Sequence, residues 1–133
     1  DPEQMADAFT AGLGNNGELY PGARSVLEAL AEHHRLGLVT NGLSEVQRAR
    51  IERLDLGGFF DGIAISAEIG ASKPGTQIFD IIFAELGGPS PAETLMVGDS
   101  LTSDIQGGTN AGLDTCWYNR LTSKLYLPYC LPR

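Results

Sequence analysis

Apolar residues recur along this chain at two alternating spacings, and the switches between them mark out its elements. Residues 2–13 read as a helix, ended by the turn-prone run Gly12, Gly14, Asn15, Asn16 and Gly17. After Tyr20-Pro21-Gly22, the residues Val26, Leu27 and Leu30 repeat at helical spacing as far as His33 and His34, and residues 36–40 form a short apolar strand. Ser44 with Gln47 three positions on has the form of a capping box, opening a helix to Leu54 with Ile51 and Leu54 turned inward. Residues 63–66 make a second strand, and Pro74 suits the first turn of a helix over 78–86. A third strand over 94–97, a helix over 104–111 and a fourth strand over 115–118 complete the pattern.

Strand and helix alternate through connections short enough to require right-handed crossovers. This predicts an α/β fold, a Rossmann-like, mainly parallel sheet flanked by helices, with ligands held at the carboxyl ends of the strands. Residues 121–133, with Pro128 and Pro132, show no regular pattern and read as an irregular tail.

With 133 residues, 42% of them hydrophobic, the chain has enough material for one core. Nowhere does it approach the roughly 20 apolar residues of a membrane span. Nine basic against seventeen acidic side chains give a net charge of -8. That balance argues against nucleic acid and anionic membrane as partners, and it favours a metal ion wherever carboxylates converge. Any anionic substrate then needs a local positive site. Cys116 and Cys130 have no metal-ligand spacing, and Cys116 lies in an apolar run suited to a buried free thiol, so a reducing, cytoplasmic setting is expected. There is no signal-peptide pattern, and because the chain opens at Asp1-Pro2 without an initiator methionine, further residues are expected upstream.

Three polar clusters fall just past predicted strand ends, where an open α/β sheet builds its site. Thr40-Asn41-Gly42 offers a hydroxyl and a tight turn whose backbone N–H groups lead into a helix, a natural anion cradle or simply a turn and cap. Ser72-Lys73-Pro74 holds an ammonium that can reach an anion, although single lysines are commonly solvated. Gly98-Asp99-Ser100-Leu101-Thr102-Ser103-Asp104 sets two carboxylates five positions apart on one loop, hard oxygen ligands of the kind Mg²⁺ takes. Asp99 as a turn former and Asp104 as a helix-start charge is the competing reading. His33 and His34 suit a solvated helix end, while Trp117 and Tyr118 suit packing.

Order and joint placement favour one anion-and-metal pocket, and the three clusters resemble the second, third and fourth motifs of the haloacid dehalogenase superfamily. The resemblance spans residues 20–120. Glu45-Val46-Gln47-Arg48 and Ser103-Asp104-Ile105-Gln106 are most similar to its pyrimidine 5'-nucleotidase-like branch. The resemblance implies a Mg²⁺-dependent phosphate-monoester hydrolase working through an aspartyl-phosphate, on a small phosphorylated metabolite or nucleoside monophosphate. It assigns Thr40, Lys73 and Asp99 to catalysis. Thr40, with Asn41, Gly42 and Lys73, would bind phosphate; Asp99 would ligate Mg²⁺, and Asp104 would hold the metal's bound waters. Metal-free 2-haloacid dehalogenases of the same superfamily typically carry Ser-Ser-Asn where this chain has Gly98-Asp99-Ser100, and the paired acids argue for metal and phosphate instead.

The first motif, a strand ending in Asp-x-Asp, is missing, because no such triplet occurs in the chain. With it go the nucleophile, the general acid and base, and most of the cap, of which residues 1–19 read as a remnant and hinge. The resemblance implies that the first strand lies between those ending at Thr40 and Gly98. Its gap is expected to be filled by an upstream segment, by a second copy through strand exchange, or by re-pairing of the other strands. A core fragment with little turnover alone is therefore expected, with a non-catalytic, truncated or domain-swapped module as the rival.

Overall fold

Asp1 starts the first helix, its carboxylate accepting the Glu3 amide at 3.1 Å, with Pro2 in the opening turn where its missing N–H costs nothing. This computed structural model describes residues 1–121 and 124–126. The chain divides into two compact units, Asp1–Gly70 and Ala71–Arg133.

In the first unit, α1 (Pro2–Asn15) runs two residues beyond the predicted stop. Gly14 stays inside it because the helix meets α3 (Ser44–Arg53) there, and an added Cβ would lie 3.0 Å from Ala49 Cβ. α2 (Ala23–Ala31) forms as its spacing predicts, yet none of its residues is buried; Val26 and Leu30 are both exposed. Arg24 ties it down instead, donating to the carbonyls of Leu54 and Asp55 and lying 5.5 Å from the centre of the Phe59 ring. β1 (Gly37–Thr40) pairs in parallel with β2 (Gly62–Ile65), Gly37 facing Gly62 and Thr40 facing Ile65. Val46, Ile51, Ala64 and Ile65 are buried in this unit. Ser66, read from the sequence as the end of a strand, instead opens the short helix α4 (Ser66–Ile69).

The predicted capping box does not form. Leu43, not Ser44, is the N-cap of α3 and has no side-chain acceptor to offer, and the Ser44 hydroxyl donates to Glu68 Oε1 at 2.5 Å instead.

In the second unit, α5 (Gln77–Glu85) begins three residues after Pro74, which sits in a turn closed by Gly75 N–H donating to the Ser72 carbonyl at 2.9 Å, with a cis Lys73–Pro74 peptide. The proline therefore does not start the helix as the sequence suggested. Ile78, Phe79 and Ile82 line the buried face of α5, joined in the core by Leu86, Leu113 and the buried thiol of Cys116. β3 (Leu95–Gly98) runs parallel to β4 (Asp114–Asn119), and β5 (Lys124–Tyr126) is antiparallel to β4. A π-helical turn, Leu101–Ile105, leads into α6 (Gln106–Asn110), so helical structure starts three residues earlier than predicted. Gly108 lets α6 lie close on the sheet, since an added Cβ would be 2.8 Å from Thr115 and 2.9 Å from Met96.

The fold is α/β with short, mainly parallel strands and flanking helices, as the alternation predicts. Two departures matter. Among the described residues the strands form two sheets, β1–β2 and β3–β4–β5, in which β1 and β3 are terminal strands. The tail read as irregular contributes β5; Pro128, Cys130 and Pro132 lie outside the described residues. Among the described residues no helix is long and apolar enough to cross a membrane.

Candidate active site

The three clusters singled out by the sequence fall in both units, the donor turn in the first and the lysine and acid loop in the second. Because Thr40 faces Ile65 across the parallel ladder, the residues that leave the two strands, Asn41-Gly42 and Ser66, emerge side by side. Gly42, at φ 149°, donates its N–H to Ser66 Oγ at 2.9 Å. That amide therefore serves the turn itself. Thr40 is half-buried and its hydroxyl makes only a long 3.5 Å contact with the Asn41 carbonyl, while Asn41 is exposed.

In the second unit Lys73 and Asp104, distant in sequence, meet: Lys73 Nζ donates to Asp104 Oδ1 at 2.6 Å, with both side chains less than a tenth exposed. The Ser72–Gly75 turn that presents the lysine is anchored by Asn110 of α6, whose amide donates to the Pro74 carbonyl at 3.0 Å. Asp104 is held equally firmly. Its Oδ2 accepts the Ser100 N–H at 3.0 Å, and it lies against Gly98, where a Cβ would come within 2.3 Å of Oδ2. The π turn arises here because the Ser100 carbonyl accepts the amides of both Asp104 (2.9 Å) and Ile105 (3.1 Å), while Ser100 Oγ caps Ser103 N–H. Asp104 is thus neither a surface charge nor a simple helix-start acid; it is a buried carboxylate with a cation and an amide as partners.

Asp99 sits at the exposed lip of the same loop. Its carboxylate lies 3.3 Å from Arg120 Nη1, an exposed pair worth little in water, and its carbonyl accepts the Trp117 indole N–H at 3.0 Å. Trp117 therefore braces the acid loop as well as packing. The donor set suits a hydrated Mg²⁺, which needs only one or two direct carboxylates. Asp99 is accessible to a cation, and the engaged oxygens of Asp104 retain lone pairs able to accept from metal-bound water. Among the described residues there is no group of three or more His, Cys, Asp or Glu side chains that would hold a bare ion. His33 is at the surface, 3.8 Å from Glu32, as a solvated helix end.

Sequence reasoning missed one feature of this region, the clamp beside the donor turn. Arg48 forks onto both oxygens of Glu68, Nε to Oε1 at 2.9 Å and Nη2 to Oε2 at 2.7 Å, and Ser44 adds a third bond. The Arg48 and Ser44 hydrogen bonds hold the Glu68 carboxyl down at a pKa of about 2. The signal was partial: Glu68 falls just past the predicted strand 63–66, the criterion that found the other three clusters, whereas Ser66 was read as part of that strand.

A family model described as hydrolase, haloacid dehalogenase-like hydrolase, matches residues 5–112. The pyrimidine 5'-nucleotidase YjjG of Escherichia coli (strain K12) is 42% identical over 119 residues, which cover 90% of this chain and 53% of that protein. The N-acylneuraminate-9-phosphatase of Mus musculus is 42% identical over 98 residues, 73% of this chain and 39% of that protein. Among solved structures, the HAD-hydrolase YfnB of Bacillus subtilis bound to magnesium superposes with a TM-score of 0.81 at 38% identity, over 90% of this chain and 52% of that one. The chain spans about half the length of the pyrimidine nucleotidase it matches.

Proposed function

The chain belongs to the haloacid dehalogenase-like hydrolase family, and from that premise we propose that it forms the phosphate-gripping and Mg²⁺-binding part of a phosphate-monoester hydrolase for small phosphorylated metabolites such as nucleoside monophosphates. One observation carries this reading: Lys73 is buried against Asp104 at 2.6 Å, and Asp104 lies on the loop that begins with the exposed carboxylate of Asp99. A buried ion pair costs desolvation, so a fold that needed only packing would do as well with apolar residues there. Phosphate handling gives the pair a task.

In this reading Lys73 balances the charge of an incoming phosphate, and its bond to Asp104 fixes its position. Asp99 ligates Mg²⁺, Asp104 orients the metal's waters, Thr40 donates its hydroxyl to a phosphoryl oxygen, and the Asn41 backbone assists. Gly42 shapes that turn, its own amide being committed to Ser66. Mg²⁺, when bound, would supply the positive charge that lets a phosphate dianion approach carboxylates. The relatives named a nucleotidase and a phosphatase, and the magnesium-bound relative, support the substrate class and the metal. A cytoplasmic setting accords with Cys116 being buried outside any disulfide. The paired acids Asp99 and Asp104 weigh against dehalogenation.

Because the sequence contains no Asp-x-Asp, the acceptor carboxylate has to come from elsewhere, and the 133-residue chain alone should bind phosphate without hydrolysing it. The same gap sustains the second reading, a non-catalytic module that binds phosphate or exchanges strands with a second copy. The test is to incubate the purified chain with Mg²⁺ and p-nitrophenyl phosphate and separately to titrate it with inorganic phosphate. Binding without turnover is expected. Turnover abolished by Asp99→Asn would refute the inactivity, and absence of Mg²⁺-dependent phosphate binding would overturn the phosphate reading itself.

A further inference from the structure

Thr40-Asn41-Gly42 is a turn between a strand and a helix, and the residues that follow β2 hold it. Ser66 Oγ accepts the Gly42 amide at 2.9 Å and lies 3.5 Å from the Gly42 carbonyl, so one hydroxyl addresses both polar groups of the one residue in the turn with positive φ. Two residues on, Glu68 grips the start of the following helix. It accepts from Ser44, the first residue of α3, at 2.5 Å, and from Arg48, one helical turn later, through two bonds of 2.9 Å and 2.7 Å. A bidentate guanidinium–carboxylate pair fixes direction as well as distance. The turn is thus pinned on both sides by α4, a four-residue helix.

A Cβ at Gly42 would lie 2.7 Å from Gln47 Nε2, the flexible end of that side chain, so what chiefly opposes a substitution there is the backbone, whose φ of 149° side chains rarely adopt.

We propose that Ser66 and the Glu68–Arg48 clamp are positioning residues for the phosphate-binding turn: they touch no substrate, and they hold the Asn41 amide and the Thr40 hydroxyl in the one arrangement that grips a phosphoryl group. The inference rests on the phosphate-binding reading of that turn. Two consequences separate positioning from mere stability. The Gly42 amide is shielded from exchange only while Ser66 has a hydroxyl, and the loss of phosphate affinity in Ser66→Ala is repaired by Ser66→Thr, which restores the oxygen but not the size.

The experiment compares the wild-type chain with Ser66→Ala, Ser66→Thr and Glu68→Gln, using amide hydrogen exchange and titration with inorganic phosphate in the presence of Mg²⁺, followed at the Asn41 amide by NMR. We expect Ser66→Ala to speed exchange at Gly42 while the amides of β1 stay protected. Its phosphate affinity, and that of Glu68→Gln, should fall roughly fivefold, about what one lost hydrogen bond is worth. Ser66→Thr should recover both. Unchanged affinity in Ser66→Ala and Glu68→Gln, with wild type binding normally, would overturn the positioning role alone. Equal loss in Ser66→Ala and Ser66→Thr would also overturn it, since the hydroxyl would then be irrelevant. If the Asn41 amide of the wild type fails to respond to phosphate, the reading of the turn falls and the positioning role falls with it.

Discussion

A Cβ placed on Gly98 would come within 2.3 Å of Asp104 Oδ2 and 2.4 Å of Asp104 Cβ. No rotation of a flexible tip relieves this contact, because Asp104 is buried and held at both oxygens by Lys73 and the Ser100 amide. The glycine ending β3 is therefore a packing requirement of the acid loop. Gly98→Ala should destabilise the chain by about 1–3 kcal/mol, as overpacking does, although the residue carries no chemistry of its own. Urea denaturation of the variant measures it, and an unchanged midpoint would mean that the loop yields freely.

Lys73 and Asp104 should be more costly to separate than to remove together. Asp104→Leu or Lys73→Met strands a buried charge, for an expected loss of about 3 kcal/mol each, whereas the double variant Lys73→Met/Asp104→Leu should lose clearly less than the sum. A double-mutant cycle by denaturation reads the difference directly. Additive losses would show that the pair does not interact as its geometry indicates.

Glu68 gives the chain an acid-sensitive joint. Its pKa is lowered from 4.5 to about 2 by the hydrogen bonds from Arg48 and Ser44, so folding favours the ionised form. The contribution is fully present above the unfolded value of 4.5 and is lost as pH falls from there through about 2. Wild type and Glu68→Gln should therefore differ in stability at neutral pH and converge across that acid window. Denaturation midpoints measured through it check this, and a gap that stays constant would contradict the ionised clamp.

The sequence made the framework legible wherever one period dominated. Val26, Leu27 and Leu30 placed α2, and the apolar runs before Thr40 and Gly98 placed β1 and β3 almost to the residue. Boundaries failed where tertiary contacts outweighed local signals. Gly14 remained helical because α3 needs a close approach there, and Ser44 gave up its cap for Glu68, a partner 24 residues away. The pairing of Lys73 with Asp104 spans 31 residues and is invisible to any local rule; only the common placement past strand ends suggested that they share a site. That same rule, applied to Glu68, would have found one half of the clamp, while Arg48 lies within a helix where the rule does not reach. The exposed apolar stripe of α2 shows the opposite limit, since its pattern predicts a buried face that the described structure does not bury.

Trp117 is the chain's single tryptophan, and its indole N–H is bonded to the carbonyl of Asp99 at 3.0 Å. A cation taken up by the Asp99 carboxylate should therefore alter the fluorescence of Trp117. Mg²⁺ titration is expected to give a saturable change that Asp99→Asn removes. A spectrum indifferent to Mg²⁺ would count against Asp99 as a ligand.

The most direct measurement is calorimetric titration of the chain with inorganic phosphate, with and without Mg²⁺, for wild type, Asp99→Asn and Lys73→Met. Binding should require Mg²⁺ in the wild type and be lost in both variants while their folds persist by circular dichroism. Phosphate binding that is indifferent to Mg²⁺, or that survives in Asp99→Asn and Lys73→Met, would contradict this.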